Sequence, residues 1–187
     1  DPVGRVFSGT VPNDETSLPN RQGRLYRLDT NGSINPILYG IGISNGLAFS
    51  TDGSILYYTD SFTRQIYMFD YDVETGNISN KRTLLETPLN KGVPDGMSVD
   101  SNGYVWSARW DGWALYRYAP DGTEGRRVHL PAKKVSSLSF GGSDLTDIYV
   151  TTGGCDDKTT EGEGAGALFH VNIGIQGKPE FYSRIGL

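Results

Sequence analysis

Asn45 and Asp95 each stand before a glycine at the head of an apolar run, in "SNGLAFS" (44–50) and "PDGMSVD" (94–100). An amide oxygen and a carboxylate are hard donors. Joined by one or two further oxygens and water, they suit Ca²⁺ first, and Mg²⁺, Mn²⁺ or Zn²⁺ as alternatives. A divalent ion held in this way polarises carbonyl groups and acidifies water, which is the chemistry of hydrolysis. Taken singly, Asn-Gly and Asp-Gly are ordinary turn dipeptides, and either could merely lead into a strand. The rest of the chain offers little else for catalysis. His129 and His170 are far apart and Cys155 stands alone, so neither a histidine metal site, a triad nor an internal disulfide is expected.

What lifts the pair above two turns is a repeat of about fifty residues. Its beat is an aliphatic-aromatic pair, Leu25-Tyr26, Ile66-Tyr67, Leu115-Tyr116 and Leu168-Phe169. A strand precedes each pair, as "RVFSGT" (5–10), "ILYYTDS" (55–61), "YVWSARW" (104–110) and "DIYVTTG" (147–153). Another follows, as "SINPILYG" (33–40), "KRTLLETP" (81–88), "RRVHLP" (126–131) and "PEFYSRI" (179–185). "NGLAFS" (45–50), "DGMSVD" (95–100) and "SSLSFG" (136–141) open the later units, whereas the first unit begins at Asp1-Pro2-Val3-Gly4, equivalent to Asp100-Ser101-Asn102-Gly103.

Four short strands per unit, joined by turn residues, describe the blades of a β-propeller. The expected fold is all-β: an incomplete blade over 1–43 that lacks its inner strand, then blades over 44–91, 92–134 and 135–187, with about fifteen strands in all. A missing central strand would leave its partner's hydrogen bonds unmade, so the chain reads as the C-terminal portion of a larger propeller. In such a ring the innermost strands surround the axis. Asn45 and Asp95 hold the same position in consecutive units and are expected to meet at one mouth of the central channel, with Ser136 the weaker third equivalent.

Composition narrows the class further. With 187 residues, 36% of them hydrophobic and 21% charged, the chain is long enough for a core and is neither disordered nor fibrous. A net charge of −5 with no basic run argues against a nucleic-acid partner. No apolar run is long enough to span a bilayer, so no membrane partner is expected, and a cytoplasmic location is.

The segments "DPVGRVFSGT" (1–10), "QGRLYRLD" (22–29), "ISNGLAFSTDGSILYYTDS" (43–61), "FDYDVETGNISNKR" (69–82), "GVPDGMSVDSNGYVWSARW" (92–110) and "LSFGGSDLTDIYVTTGG" (138–154) resemble the regucalcin/gluconolactonase family, which includes the luciferin-regenerating enzymes. The resemblance implies a six-bladed propeller with one divalent cation in its channel, and hydrolysis of sugar or other small-molecule lactones. It implies that Asn45 and Asp95 are metal ligands, and that Asp95 is also the general base. A third, glutamate ligand and a substrate-contacting Arg and Asn would lie in the missing N-terminal part of the propeller. An acidic substrate contact would fall in "GTVPNDETSLP" (9–19), where Glu15 is chosen over Asp14. The 187-residue chain by itself is then expected to bind metal weakly, to show negligible lactonase activity, and to self-associate through uncovered blade faces.

Two other readings stand beside this one. "ILYYTDS" followed by "QIYMFDYD" also resembles the YWTD-type propellers of receptor ectodomains, which would make the chain a non-catalytic binding module. Alternatively, calcium binding itself serves a regulatory role. The glycine-rich "GCDDKTTEGEGAGA" (154–167) lacks the order of a calcium loop and reads as an exposed mobile loop. Asp60 reads as a structural turn-binder, and Trp106, Trp110 and Trp113 as packing and rim, with room for one of them at a substrate mouth.

Overall fold

Runs of β-branched and aromatic residues bounded by Gly, Asn and Asp become fourteen strands in a computed structural model, which describes residues 1–154 and 157–186 and, of Glu15, the backbone alone. They form four antiparallel sheets. The first holds β1 (Val6–Gly9), β2 (Gly23–Leu28) and β3 (Ile34–Ile41). The second holds β4 (Ser44–Phe49), β5 (Ile55–Asp60), β6 (Gln65–Asp72) and β7 (Asn77–Glu86). The third holds β8 (Val93–Val99), β9 (Val105–Trp110), β10 (Ala114–Tyr118) and β11 (Glu124–His129), and the fourth β12 (Lys134–Gly141), β13 (Asp147–Gly153) and β14 (Leu168–Asn172). Strands pair in chain order within every sheet, and β8 packs against both β4 and β12.

The cores lie between sheets. Successive residues of a strand point to opposite faces, so Leu56 and Tyr58 of β5 join Leu25 of the first sheet, while Tyr57 joins Met97, Val99 and Val105 of the third. A third core unites Trp106 and Leu115 with Leu138, Ile148 and Val150. Burial on both faces is why "ILYYTD" reads as an unbroken apolar run rather than an alternating one. Polar anchors repeat with the sheets. Asp100, wholly buried, accepts hydrogen bonds from Trp106 Nε1 at 2.9 Å, Arg117 Nε at 2.7 Å and the N–H groups of Asn102 and Tyr104. Asp1 binds the N–H groups of Val3, Gly4 and Arg5, matching the register assigned between the first and third units.

One expectation fails. Residues 179–185 do not form an outer strand on the fourth sheet, which has three strands among the described residues. Instead the C-terminal segment leaves that sheet: Gly177 bridges to Asp100, Arg184 N–H donates to Gly4 C=O at 2.9 Å, and Phe181 packs edge-on against Phe49. Of the aromatic side chains that suggested a strand, Phe181 therefore packs on the second sheet while Tyr182 stays exposed. The segment expected to be an exposed mobile loop is mostly exposed over its described residues and carries several local ties. A helical turn at Lys158–Glu161, capped by Asp157, docks on the stretch before β12, with Lys133 N–H on Glu161 C=O at 2.7 Å, Gly164 N–H on Pro131 C=O at 2.8 Å, and a Lys134–Glu161 ion pair. Cys155 lies outside the described residues.

The inner strands approach so closely that glycine is required at two points. A Cβ on Gly46 would stand 2.5 Å from the Asp95 carbonyl oxygen and 2.8 Å from Met97 N. On Gly96 it would stand 2.3 Å from Ser137 Oγ and 2.8 Å from Ser136 O. Backbone cannot yield as a flexible side chain can, so Gly46→Ala is expected to lower unfolding free energy by about 1–3 kcal/mol. Chemical denaturation of the two chains side by side checks this; equal midpoints would mean that β4 and β8 are not pressed together.

Candidate functional site

Each inner strand carries one residue too many where its polar residue sits. Ser44 pairs with Asp60 but Leu47 with Tyr58, and Pro94 pairs with Arg109 but Met97 with Ser107. The third strand repeats the shift between Val135 and Ser137. These are β-bulges, which break the alternation and re-aim a side chain. They fall on Asn45-Gly46, Asp95-Gly96 and Ser136, the three positions matched in the sequence. The Asn-Gly and Asp-Gly dipeptides are therefore neither turns nor regular strand. The polar residue is turned out by the bulge, and the glycine lets the neighbouring inner strand come close.

Asn45 and Asp95 border one cavity of about 320 Å³, together with Ile43, Val93, Pro94 and Trp110. Asp95 is half-buried, and its loss of hydration pushes its carboxyl up to about 6, against a partial opposing pull from the Asn45 side chain and the Gly96 N–H. No basic side chain among the described residues contributes to that balance. Ser136 differs: its hydroxyl is paired with Thr151 Oγ1 at 2.9 Å.

Support comes from groups behind the mouth. Asp60, wholly buried at the end of β5, accepts the N–H groups of Gly42 at 3.2 Å, Ile43 at 3.1 Å and Phe62 at 3.2 Å, and Arg21 Nη2 at 3.1 Å. It fixes the turn that delivers Asn45. Ser61 Oγ donates to Pro94 C=O at 2.7 Å and so ties the second sheet to the residue before Asp95. Across the β8–β9 pair, Arg109 is fully buried and donates to Thr87 Oγ1 at 2.6 Å and Tyr118 OH at 2.9 Å. Sequence reasoning had given Asp60 a structural part but had missed Ser61 and Arg109. The only signal available was a polar residue ending an otherwise buried strand.

Glu15 opens a 3-10 helix, Glu15–Asn20, and its side chain lies outside the described residues. Asp14, the alternative, is the cap of that helix, accepting Ser17 N–H at 3.0 Å. The loop adjoins the mouth through Ile43, which it shares with a cavity beside Asn13 and Leu18, and is anchored at its far end by the Arg21–Asp60 pair.

A divalent cation fits the donors present: two hard oxygens from adjoining strands, one of them a carboxylate that loses hydration on burial and has no basic partner to offset that cost. Among the described residues no group of three or more His, Cys, Asp or Glu gathers at one point. No helix among them is long and apolar enough to cross a membrane.

Residues 1–154 match the SMP-30/Gluconolactonase/LRE-like region. The chain is 45% identical to pentonolactonase XacC of Haloferax volcanii over all of its own length and 65% of that protein. It is 38% identical to regucalcin of Bos taurus, over 97% of this chain and 63% of that one. It thus spans less than two thirds of these relatives. Among solved structures it superposes on a luciferin-regenerating enzyme with a TM-score of 0.89 at 30% identity, covering 99% of this chain and 63% of that one. A calcium-binding protein, regucalcin, from Agrobacterium tumefaciens gives 0.89 at 27%, covering 98% and 62%. The four sheets are those of a partial β-propeller, and by the extent of the match the chain belongs to the SMP-30/Gluconolactonase/LRE-like family.

Proposed function

We propose that the protein to which this chain belongs hydrolyses a small lactone, using a divalent cation, Ca²⁺ foremost, held in part by Asn45 and Asp95. One observation carries the reading. Two oxygen-bearing side chains fifty residues apart are bulged out of adjacent inner strands onto a single cavity, and one of them is a carboxylate with a raised pKa. The lactonase among the relatives, pentonolactonase XacC, supports the reaction class. A divalent cation would supply polarisation of the lactone carbonyl and a lower pKa for water.

Asp95 then acts as general base. Its carboxylate takes a proton from water as the water oxygen bonds to the lactone carbonyl carbon. As the ring C–O bond breaks, that proton passes to the leaving alkoxide oxygen, and the product is an open hydroxy acid. With no ion bound, burial pushes this carboxyl up to about 6, which leaves it ionised at pH 7, the form a base requires. Asn45 adds a neutral oxygen and favours the charged form of Asp95. Ile43, Val93 and Pro94 give the cavity an apolar side. Glu15 is proposed to contact substrate from the loop that adjoins Ile43.

A second reading, cation binding without turnover, draws on the similarity to regucalcin and to a calcium-binding protein, and needs the same two ligands. Turnover measured beside metal titration separates the two. In the intact natural polypeptide, Asp95→Ala is expected to abolish both metal binding and lactone hydrolysis; retained hydrolysis would remove Asp95 from the mechanism. Because the folded carboxyl titrates near 6, it is protonated below that pH and competes with the cation. Metal affinity in calorimetric titration is thus expected to hold from pH 8 to 7 and to fall roughly tenfold per unit below about 6. A flat profile down to pH 5 would show that Asp95 is not a ligand.

A further inference from the structure

Of the three tryptophans, one is placed to meet a substrate. Trp106 is wholly buried and spends its indole N–H on Asp100. Trp113 is 37% exposed but does not border the cavity, whereas Trp110, 36% exposed, does. Trp110 ends β9, opposite Val93 in the β8–β9 register, so it stands two residues along β8 from Asp95 on the neighbouring strand.

The ring is fixed from outside. A Cβ on Gly153, the last residue of β13, would fall 2.6 Å from Trp110 Cη2 and Cζ3, so the far edge of the indole rests on backbone of the next sheet. Lys134 Nζ lies 5.4 Å from the ring centroid and is itself held by Glu161. A cation near the ring and a glycine under its edge leave the indole little freedom to turn. Such a preorganised aromatic surface contributes to binding without a large ordering cost.

Resting on the lactonase reading above, we propose that Trp110 is the substrate-stacking wall of this site. It would select polyhydroxylated five- or six-membered lactones, whose ring presents a face of C–H bonds to the indole while the ester carbonyl turns toward Asn45 and Asp95. Ile43, Val93 and Pro94 complete an apolar wall that offers no partner to a charged substituent. Trp110 does not take part in bond making. Its contribution is to bind and orient the ring, so it acts mainly on KM.

The test uses the intact natural polypeptide, with D-glucono-1,5-lactone and a pentono-1,4-lactone as substrates and Ca²⁺ alone as the metal probe. Trp110→Ala is expected to raise KM roughly three- to tenfold, the range of an aromatic contact, with kcat within about twofold and Ca²⁺ affinity unchanged. Trp110→Phe is expected to restore KM to within about twofold while abolishing the change in indole emission that lactone produces in the unaltered protein. Unchanged KM in Trp110→Ala overturns the proposal, and so does loss of Ca²⁺ affinity in parallel with KM, which would make Trp110 a prop for Asp95. If the unaltered protein binds Ca²⁺ and turns over neither lactone, the lactonase reading fails, and the emission titration then decides stacking separately: a lactone-induced change lost in Trp110→Phe upholds the wall, and no change in either protein overturns it.

Discussion

The close approach of the inner strands is the constraint on which the remaining structure depends. Blades of a propeller bury their apolar faces only against one another, and the innermost strands must converge on the axis for those faces to meet. Here β4 and β8 come near enough that Gly46 faces the carbonyl of Asp95 with no space for a methyl group, and Gly96 faces Ser136 and Ser137 in the same way. Each approach is accompanied by a bulge that admits one extra residue and turns a polar side chain toward the mouth. Packing of the blades and placement of Asn45 and Asp95 are thus consequences of one backbone arrangement.

Three aspartates show how differently the fold treats buried charge. Asp60 and Asp100 are wholly enclosed, and each is saturated by backbone N–H groups and an arginine. They hold turns and strands in place, as a buried carboxylate with a full complement of donors does. Asp95 has only the Asn45 side chain and one N–H to favour its charge, and burial raises its pKa. Leaving a carboxylate under-compensated beside a cavity is destabilising in structural terms, and such departures mark functional positions. Asp60 also links the two kinds: it anchors the turn before Asn45 and receives Arg21 from the loop that carries Glu15.

Much of this was legible in the sequence because a repeat makes distant residues equivalent. The beat from Leu25-Tyr26 to Leu168-Phe169 was enough to align the sheets, and the alignment put Asn45 beside Asp95 before any coordinates. The bulges were not legible, since Asn-Gly and Asp-Gly carry the same local signal whether they make a turn or a bulge, and only the partner strand's register distinguishes them. The outer strand expected at 179–185 failed for a related reason: "PEFYSRI" has strand-like composition, but Phe181 finds its partner in Phe49 of the second sheet. Local composition could not say which neighbour would win. The ties of Glu161 and Gly164 to Lys133 and Pro131 were not legible either, because they are backbone hydrogen bonds, which leave no mark on side-chain type. Ser61 and Arg109 were missed because their contacts with Pro94, Thr87 and Tyr118 cross between elements.

The proposed chemistry rests on one cation shared by side chains from β4 and β8. Paramagnetic broadening by Mn²⁺ in the isotopically labelled intact polypeptide addresses it directly, because the effect falls steeply with distance from the ion. At substoichiometric Mn²⁺ the Asn45 side-chain amide and the backbone N–H groups of Gly46 and Gly96 are expected to broaden first. Broadening centred instead on the acidic turn around Asp157 and Glu161, or spread evenly over surface carboxylates, would contradict the account.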